Sequence, residues 1–141
     1  MKLYLLFILV FLFSTASAIE KIKFSKIGLE DGLSNSTVVD ILQDAKERLW
    51  VATYNGLCLY DGYEFVVYHH NDEDSLSVGS DVIRSLDIDE EGKIWIGTSH
   101  CLSVYDPRLD HFENFIYRYH GKPMDIWDVV CLDKNSILVA T

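Results

Sequence analysis

Three kinds of residue in this sequence could do chemistry: a run of carboxylates, five histidines, and a scatter of serines and cysteines. The run is DIDEEG, where Asp87, Asp89, Glu91 and Gly92 resemble a calcium loop, because alternate carboxylates can surround a hard cation with oxygen. The match is incomplete. Such a loop wants Asp or Asn where Glu91 stands, and Glu at its twelfth position, which is Thr98 here. A solvated hairpin turn is the expectation. His69, His70, His100, His111 and His120 show no ligand spacing such as HExxH, so surface-loop histidines are expected rather than a metal site. No GxSxG and no paired Cys/His signature marks a nucleophile. The carboxylate pairs Glu90-Glu91 and Glu30-Asp31 lie in polar turns, without an apolar pocket to split their pKa values. The expectation is a chain with no catalytic, cofactor-binding or metal residue, and with its ligand contacts unassigned. Asn35-Ser36-Thr37 matches an N-glycosylation acceptor, a pattern common by chance.

Composition narrows the partners. The chain has 141 residues and a formal charge of -10. That balance disfavours nucleic acid, which needs a basic surface to displace counterions. It also disfavours charge-driven docking on anionic lipid. Cys58, Cys101 and Cys131 are odd in number and widely spaced, so they read as small buried hydrophobes. A Cys58–Cys101 disulfide is the alternative in an oxidising compartment. Residues 1–18, MKLYLLFILVFLFSTASA, have a basic start, an apolar run from Leu3 to Phe13 and a small-x-small end at Ala16-Ser17-Ala18. This is the anatomy of a cleaved signal peptide, with Ile19 as the first mature residue. The run is shorter than the roughly 20 apolar residues of a spanning helix.

The elements that must position everything else are announced by a repeat. Trp50-Val51-Ala52-Thr53 returns as Trp95-Ile96-Gly97-Thr98 at an offset of 45. The same offset pairs Val38 with Ile83, Ile41 with Leu86, Asp44 with Asp89, Leu57 with Leu102, Tyr60 with Tyr105 and Asp61 with Asp106. A third echo, Leu138-Val139-Ala140-Thr141, closes the sequence, with Trp127 and Val130 placed at the positions of Val38 and Ile41. Within the first copy, strands are expected at Thr37 to Gln43, Leu49 to Tyr54, Leu57 to Tyr60 and Glu64 to His69. Asn55-Gly56 reads as a type I′ hairpin turn. Four short antiparallel strands repeating at this period are the signature of a β-propeller blade. Trp50, Val51 and Ala52 leave no polar face, so the strand is covered on both sides by neighbouring blades. Ala52, Gly97 and Ala140 share one position, which predicts a crowded place near the propeller axis.

The fold class expected is therefore all-β: a signal peptide at 1–18, then a partial β-propeller over 19–141. Its blades run roughly 24–70 and 71–117, with a truncated third at 118–141. A closed ring needs about 4–8 blades. The sequence is expected to be an N-terminal fragment with an apolar face and an unpaired edge left in water.

The stretch FSKIGLEDGLSNSTVVDILQDAKERLWVATYNGLCLYDGYEF resembles the two-component regulator propeller repeat. Asp31-Gly32-Leu33-Ser34 opens the first blade, and Asp44, Trp50, Thr53, Asn55, Gly56, Leu57, Tyr60 and Asp61 match the repeat. In the second copy Ser75-Leu76, Val82, Asp89, Gly92, Trp95, Gly97, Thr98, Leu102, Tyr105 and Asp106 match. Three positions depart: His100 for Asn55, Cys101 for Gly56, and Leu138 for the Trp, so the second hairpin is expected to be distorted or of another turn type. The resemblance implies the periplasmic sensor region of a hybrid histidine kinase of Bacteroidetes type, anchored in the inner membrane through parts outside this sequence. It implies a small-molecule or oligosaccharide ligand, commonly glycan-derived, and a homodimer when full-length. Nothing in it carries kinase chemistry onto these residues. The alternative is a secreted or periplasmic propeller that binds or scaffolds without kinase output. Aromatics including Tyr60, Tyr63, Phe65, Tyr68, Tyr105, Phe112, Phe115, Tyr117 and Tyr119 could stack on sugars, but blade packing is the simpler expectation for residues at strand spacing.

Overall fold

Every connection inside the two four-stranded sheets is a short turn, so sequence order becomes spatial order. The structure is a computed structural model and describes residues 22–134 and 136–141. The signal peptide expected at 1–18 and the mature start expected at Ile19 lie outside the described residues. Strands β1 (Val38–Gln43), β2 (Leu49–Thr53), β3 (Gly56–Tyr60) and β4 (Phe65–Tyr68) form one antiparallel sheet in that order. Strands β5 (Ile83–Ile88), β6 (Ile94–Thr98), β7 (Leu102–Asp106) and β8 (His111–Phe115) form a second in the same order. A two-residue-per-strand hairpin, β9 (Arg118–Tyr119) with β10 (Lys122–Pro123), precedes a third sheet of β11 (Asp128–Asp133) and β12 (Ser136–Ala140). The inner strands stand side by side, β1 against β5 and β5 against β11. This is the blade architecture of a propeller.

The repeat is a repeat of register. Leu42 faces Trp50 and Trp50 faces Leu59, while Asp87 faces Trp95 and Trp95 faces Val104. Both first strands carry a bulge near their start, at Val38/Asp40 and Ile83/Ser85. In β11 the irregularity has moved to the other end, between Cys131 and Asp133. Val129 therefore pairs with Val139 as Ile41 pairs with Val51, and the sequence alignment that put Val130 there is one residue out.

The first hairpin also corrects the sequence reading. Gly56 has φ 103°, but Asn55 is not among the residues with positive φ, so the turn is not type I′. Thr53 pairs with Gly56 across Tyr54-Asn55, which leaves the glycine as a left-handed bulge residue closing the turn. A Cβ on Gly56 would lie 2.8 Å from the Tyr68 carbonyl oxygen. Cys101, in the matching place, stands outside the positive-φ set, so the second hairpin closes differently, as its sequence suggested. A turn with both central residues left-handed does occur, at His120 (φ 49°) and Gly121 (φ 77°) between β9 and β10.

The core is made between sheets. One face of the first sheet, through Leu42, Trp50, Ala52, Leu57, Leu59 and Tyr68, packs on Ile83, Leu86, Ile88, Ile94, Ile96, Tyr105 and Phe112 of the second. Trp50 is 0% exposed there. The opposite face of the second sheet, through Trp95 and Leu102, packs on Ile126, Val129, Ile137 and Val139. The outward face of the first sheet, Val51 and Cys58, is capped by Leu33. On the far side of the third sheet Val130 and Leu138 remain exposed, and so does Ile41 of the first.

Gly97 shows how closely the sheets approach. A Cβ there would lie 2.6 Å from Ser85 Oγ and 3.1 Å from the Ile126 carbonyl oxygen, an atom of the segment entering the next sheet. The crowding expected at this position is real and comes from Ser85 of the same sheet and Ile126 of the segment entering the next, whereas Ala140 is exposed. Gly97→Ala is expected to cost about 1–3 kcal/mol by overpacking, and Gly97→Leu more. Denaturant unfolding checks this, and an unchanged midpoint for Gly97→Leu would contradict it.

Candidate functional site

Antiparallel strands send alternate turns to opposite ends of each sheet. At one end lie the turns after β1, β3, β5 and β7. At the other lie the β2–β3 and β6–β7 hairpins and the long connectors 69–82 and 116–127.

The first end is organised by two aspartates. Asp44 Oδ1 accepts the Lys46 amide at 2.9 Å and the Arg48 amide at 3.1 Å. Its Oδ2 accepts Arg48 Nε at 2.9 Å and Trp50 Nε1 at 3.2 Å. Asp89 repeats the frame: Oδ1 accepts the Glu91 and Lys93 amides, both at 2.9 Å, and Oδ2 accepts Trp95 Nε1 at 2.9 Å. An aspartate that closes the turn thus also holds the tryptophan six residues on. Glu91 pairs instead with Lys93 and Arg108. Asp87 points between sheets, where its Oδ2 accepts the Cys131 amide at 2.6 Å. The carboxylates of DIDEEG therefore diverge into separate tasks, and among the described residues no group of three or more His, Cys, Asp or Glu is placed to hold a metal ion. A groove of about 220 Å³ runs between the two turns, lined by Asp44, Lys46, Arg48, Glu91 and Arg108 among others.

Asp87 has a counterpart that sequence reasoning missed. Asp40 Oδ1 accepts its own neighbour's amide, Ile41, at 2.8 Å, and Oδ2 accepts the Leu86 amide of the second sheet at 2.8 Å. The signal was available as a carboxylate in an otherwise apolar strand, but the partner lies 46 residues away.

At the second end, threonines close the hairpins. Thr53 Oγ1 donates to the Gly56 carbonyl at 2.8 Å, and Thr98 Oγ1 to the Cys101 carbonyl at 2.8 Å. Ser34 Oγ lies 2.9 Å from Thr53 Oγ1 and 3.0 Å from Cys58 Sγ, which fastens the DGLS segment to the first sheet. Cys58 and Cys101 are buried free thiols in separate surroundings, so the alternative disulfide does not form. Cys131 is also free, and burial together with the Asp87 carboxylate pushes its thiol up to about 12.

The histidines are scattered. His69 Nδ1 lies 3.2 Å from Asp81 Oδ1; His70 sits between the Val78 carbonyl, at 2.7 Å, and Asp72, at 3.0 Å. The hydrogen bond to that carbonyl, with the Asp72 charge, raises the His70 pKa against the opposing effect of burial. His100 lies in the β6–β7 turn, His111 in β8 and His120 between β9 and β10. The aromatics divide. Trp50, Tyr68, Tyr105 and Phe112 make one packed cluster with centroids 5.0–5.9 Å apart. Tyr60 packs on Phe65 at 4.7 Å. Tyr63, Tyr117, Tyr119 and Trp127 stand exposed.

Two measurements test the aspartate frame. Asp89→Ala removes three hydrogen bonds and is expected to cost about 2–3 kcal/mol in denaturant unfolding. A cost below about 0.5 kcal/mol would contradict the assignment. Burial raises the Asp44 pKa, but the hydrogen bonds from Arg48, Lys46 and Trp50 outweigh it and hold the carboxyl below its ordinary value. Asp106, bonded by the Arg108 side chain, is held at about 2. Both pKa values are lower folded than unfolded, so their stabilisation is present above about pH 3.9 and lost as pH falls below it. A melting series from pH 5 to 2 is expected to fall steeply below about pH 4, and less steeply in Asp44→Asn.

Comparison with known proteins agrees with this geometry. The family profile described as two component regulator propeller matches residues 32–55 and 77–100, the stretches that hold both aspartate frames or their hairpins. Histidine kinase P4 of Formosa agariphila is 52% identical over 48 residues, 34% of this chain. The chain spans only 4% of that protein's length. The extracellular domain of the hybrid two component system BT3049 of B. thetaiotaomicron superposes with a TM-score of 0.73 at 27% identity. That match takes in 83% of this chain and 17% of the solved one. Fold, repeat register and motif agree that the chain carries two copies of the two-component regulator propeller repeat, at residues 32–55 and 77–100.

Proposed function

We infer that the chain is part of the extracytoplasmic, ligand-sensing propeller of a two-component signal transduction sensor. The observation that carries this reading is the coincidence of the repeat with the superposition on an extracellular sensor domain. On this reading residues 1–18 are a signal peptide and 19–141 are propeller, with blades at roughly 24–70, 71–117 and 118–141. The segment works outside the inner membrane, and no described helix is long and apolar enough to cross one. Its ligand is a small molecule derived from a glycan. The segment itself carries no catalysis: the carboxylates framing its turns are consumed in holding backbone amides and indoles. Phosphoryl transfer belongs to other parts of the whole protein, which acts as a homodimer.

A transcription experiment tests this. Deleting the gene is expected to abolish the induction of a set of genes by one class of polysaccharide and leave growth on glucose unchanged. Induction that persists for every polysaccharide tried would overturn the sensor reading and favour a secreted binding or scaffold protein.

A further inference from the structure

The two long connectors are built differently. Residues 69–82 have no strands and are tied by short polar bonds, such as the Glu73 amide to Asn71 Oδ1 and the Leu76 amide to Asp74 Oδ1. Residues 116–127 instead carry the β9–β10 hairpin, whose turn has both central residues left-handed. Such a turn matches the twist of its strands and makes a rigid mount. Arg118 Nη1 donates to the Gly121 carbonyl at 3.3 Å across it.

This connector leaves aromatic surface in water. Tyr119 is 68% exposed and Trp127 56% exposed. Neither belongs to the four-ring cluster that joins the first two sheets. Beside Tyr119 is a cavity of about 280 Å³, lined by Lys122, Pro123, Met124, Asp125 and Thr141 as well.

Cationic groups gather at the same place, although the chain as a whole carries a charge of -10. Arg84 extends from the bulge of β5, where the first sheet has the apolar Val39. Its guanidinium carbon lies 3.8 Å from the centroid of the Trp127 ring. Its Nη2 donates to Asp125 Oδ2 at 2.8 Å, and its Nε is buried with no partner. Asp125 thus fixes one corner of the guanidinium, and the Arg84 side chain keeps 15% of its surface exposed. Lys122, on β10, lines the cavity itself, whereas Arg84 reaches it through Asp125.

We propose that this connector end is a binding subsite for an acidic sugar, one bearing a carboxylate or a sulfate, and the proposal rests on the sensor reading above. The C–H face of a pyranose packs on Tyr119 and Trp127, which present apolar area at low entropic cost. Its anion accepts hydrogen bonds from Arg84 and Lys122, and charge-assisted bonds of this kind are the strong ones. Asp125 orients Arg84 and can accept a sugar hydroxyl. Because Arg84 belongs to β5 and Trp127 to the connector entering β11, occupancy ties the second sheet to that connector.

Tryptophan emission reads the site, since Trp50 is buried in the core, Trp95 is part-buried, and Trp127 is the exposed indole. Three tetrasaccharides serve as probes: galacturonic acid, sulfated galactose and neutral glucose. At least one acidic probe is expected to change the emission saturably and with strong salt dependence, and the glucose probe is not. Which acidic probe binds distinguishes carboxylate from sulfate. Arg84→Gln and, separately, Lys122→Gln are expected to weaken binding about tenfold or more. Lys122 is exposed, so its variant tests the site even if Arg84→Gln unfolds. Equal response to acidic and neutral probes, no response to any, or full affinity in Lys122→Gln would overturn the proposal. Acidic-sugar binding without transcriptional induction would sink the sensor reading and leave the subsite standing; induction by a neutral polysaccharide alone would do the reverse.

Discussion

A sheet of four short strands has two faces, and in this protein neither is buried by its own sheet. The face carrying Trp50, Ala52 and Leu57 disappears only because Ile83, Ile94 and Ile96 of the second sheet lie against it. The second sheet's other face disappears only against Ile126 and Val129. Everything else in the structure serves this stacking. The aspartate frames fix the turn and the indole together, so that Trp50 and Trp95 enter the interface in one orientation. Asp40 and Asp87 reach across to amides of the next inner strand. Gly97 is small because Ser85 of its own sheet and the Ile126 backbone entering the next are already there. Stability of this kind is a sum over neighbouring pairs, as in other repeat proteins.

Much of this was legible in the residues. Strand positions followed from the alternation of turn residues with β-branched and aromatic runs, and the structure departs from them by about a residue at most ends. The both-sides burial of the WxAT strand could be read from its lack of a polar face, and the crowding at Gly97 from small residues recurring at one position. Turn chemistry was less legible. Asn-Gly suggested a type I′ turn, yet the loop needed its single left-handed residue one place later, because Thr53 and Gly56 are the paired ends. The third copy slipped by one residue because its bulge moved, and a bulge leaves no mark in an apolar run.

Contacts between sheets were the least legible, since they join residues 41 to 46 apart whose chemistry is unremarkable in isolation. Arg84 and Asp125 are ordinary charges in the sequence, and Trp127 was read as a strand residue. Only the fold sets them around one exposed indole. The division of labour follows: residues that recur hold the blades, while on the 116–127 connector Ile126 joins the core and Tyr119 and Trp127 stand exposed.

The central claim is that the first and second sheets are stabilised by each other. Amide hydrogen exchange tests it most directly, by comparing the native chain with Trp50→Ala, a change confined to the first sheet. If the account is right, protection falls at β6 amides such as Ile96 and Gly97 as well as in β2 and β3. Loss of protection limited to the first sheet, with β6 unchanged, would contradict it.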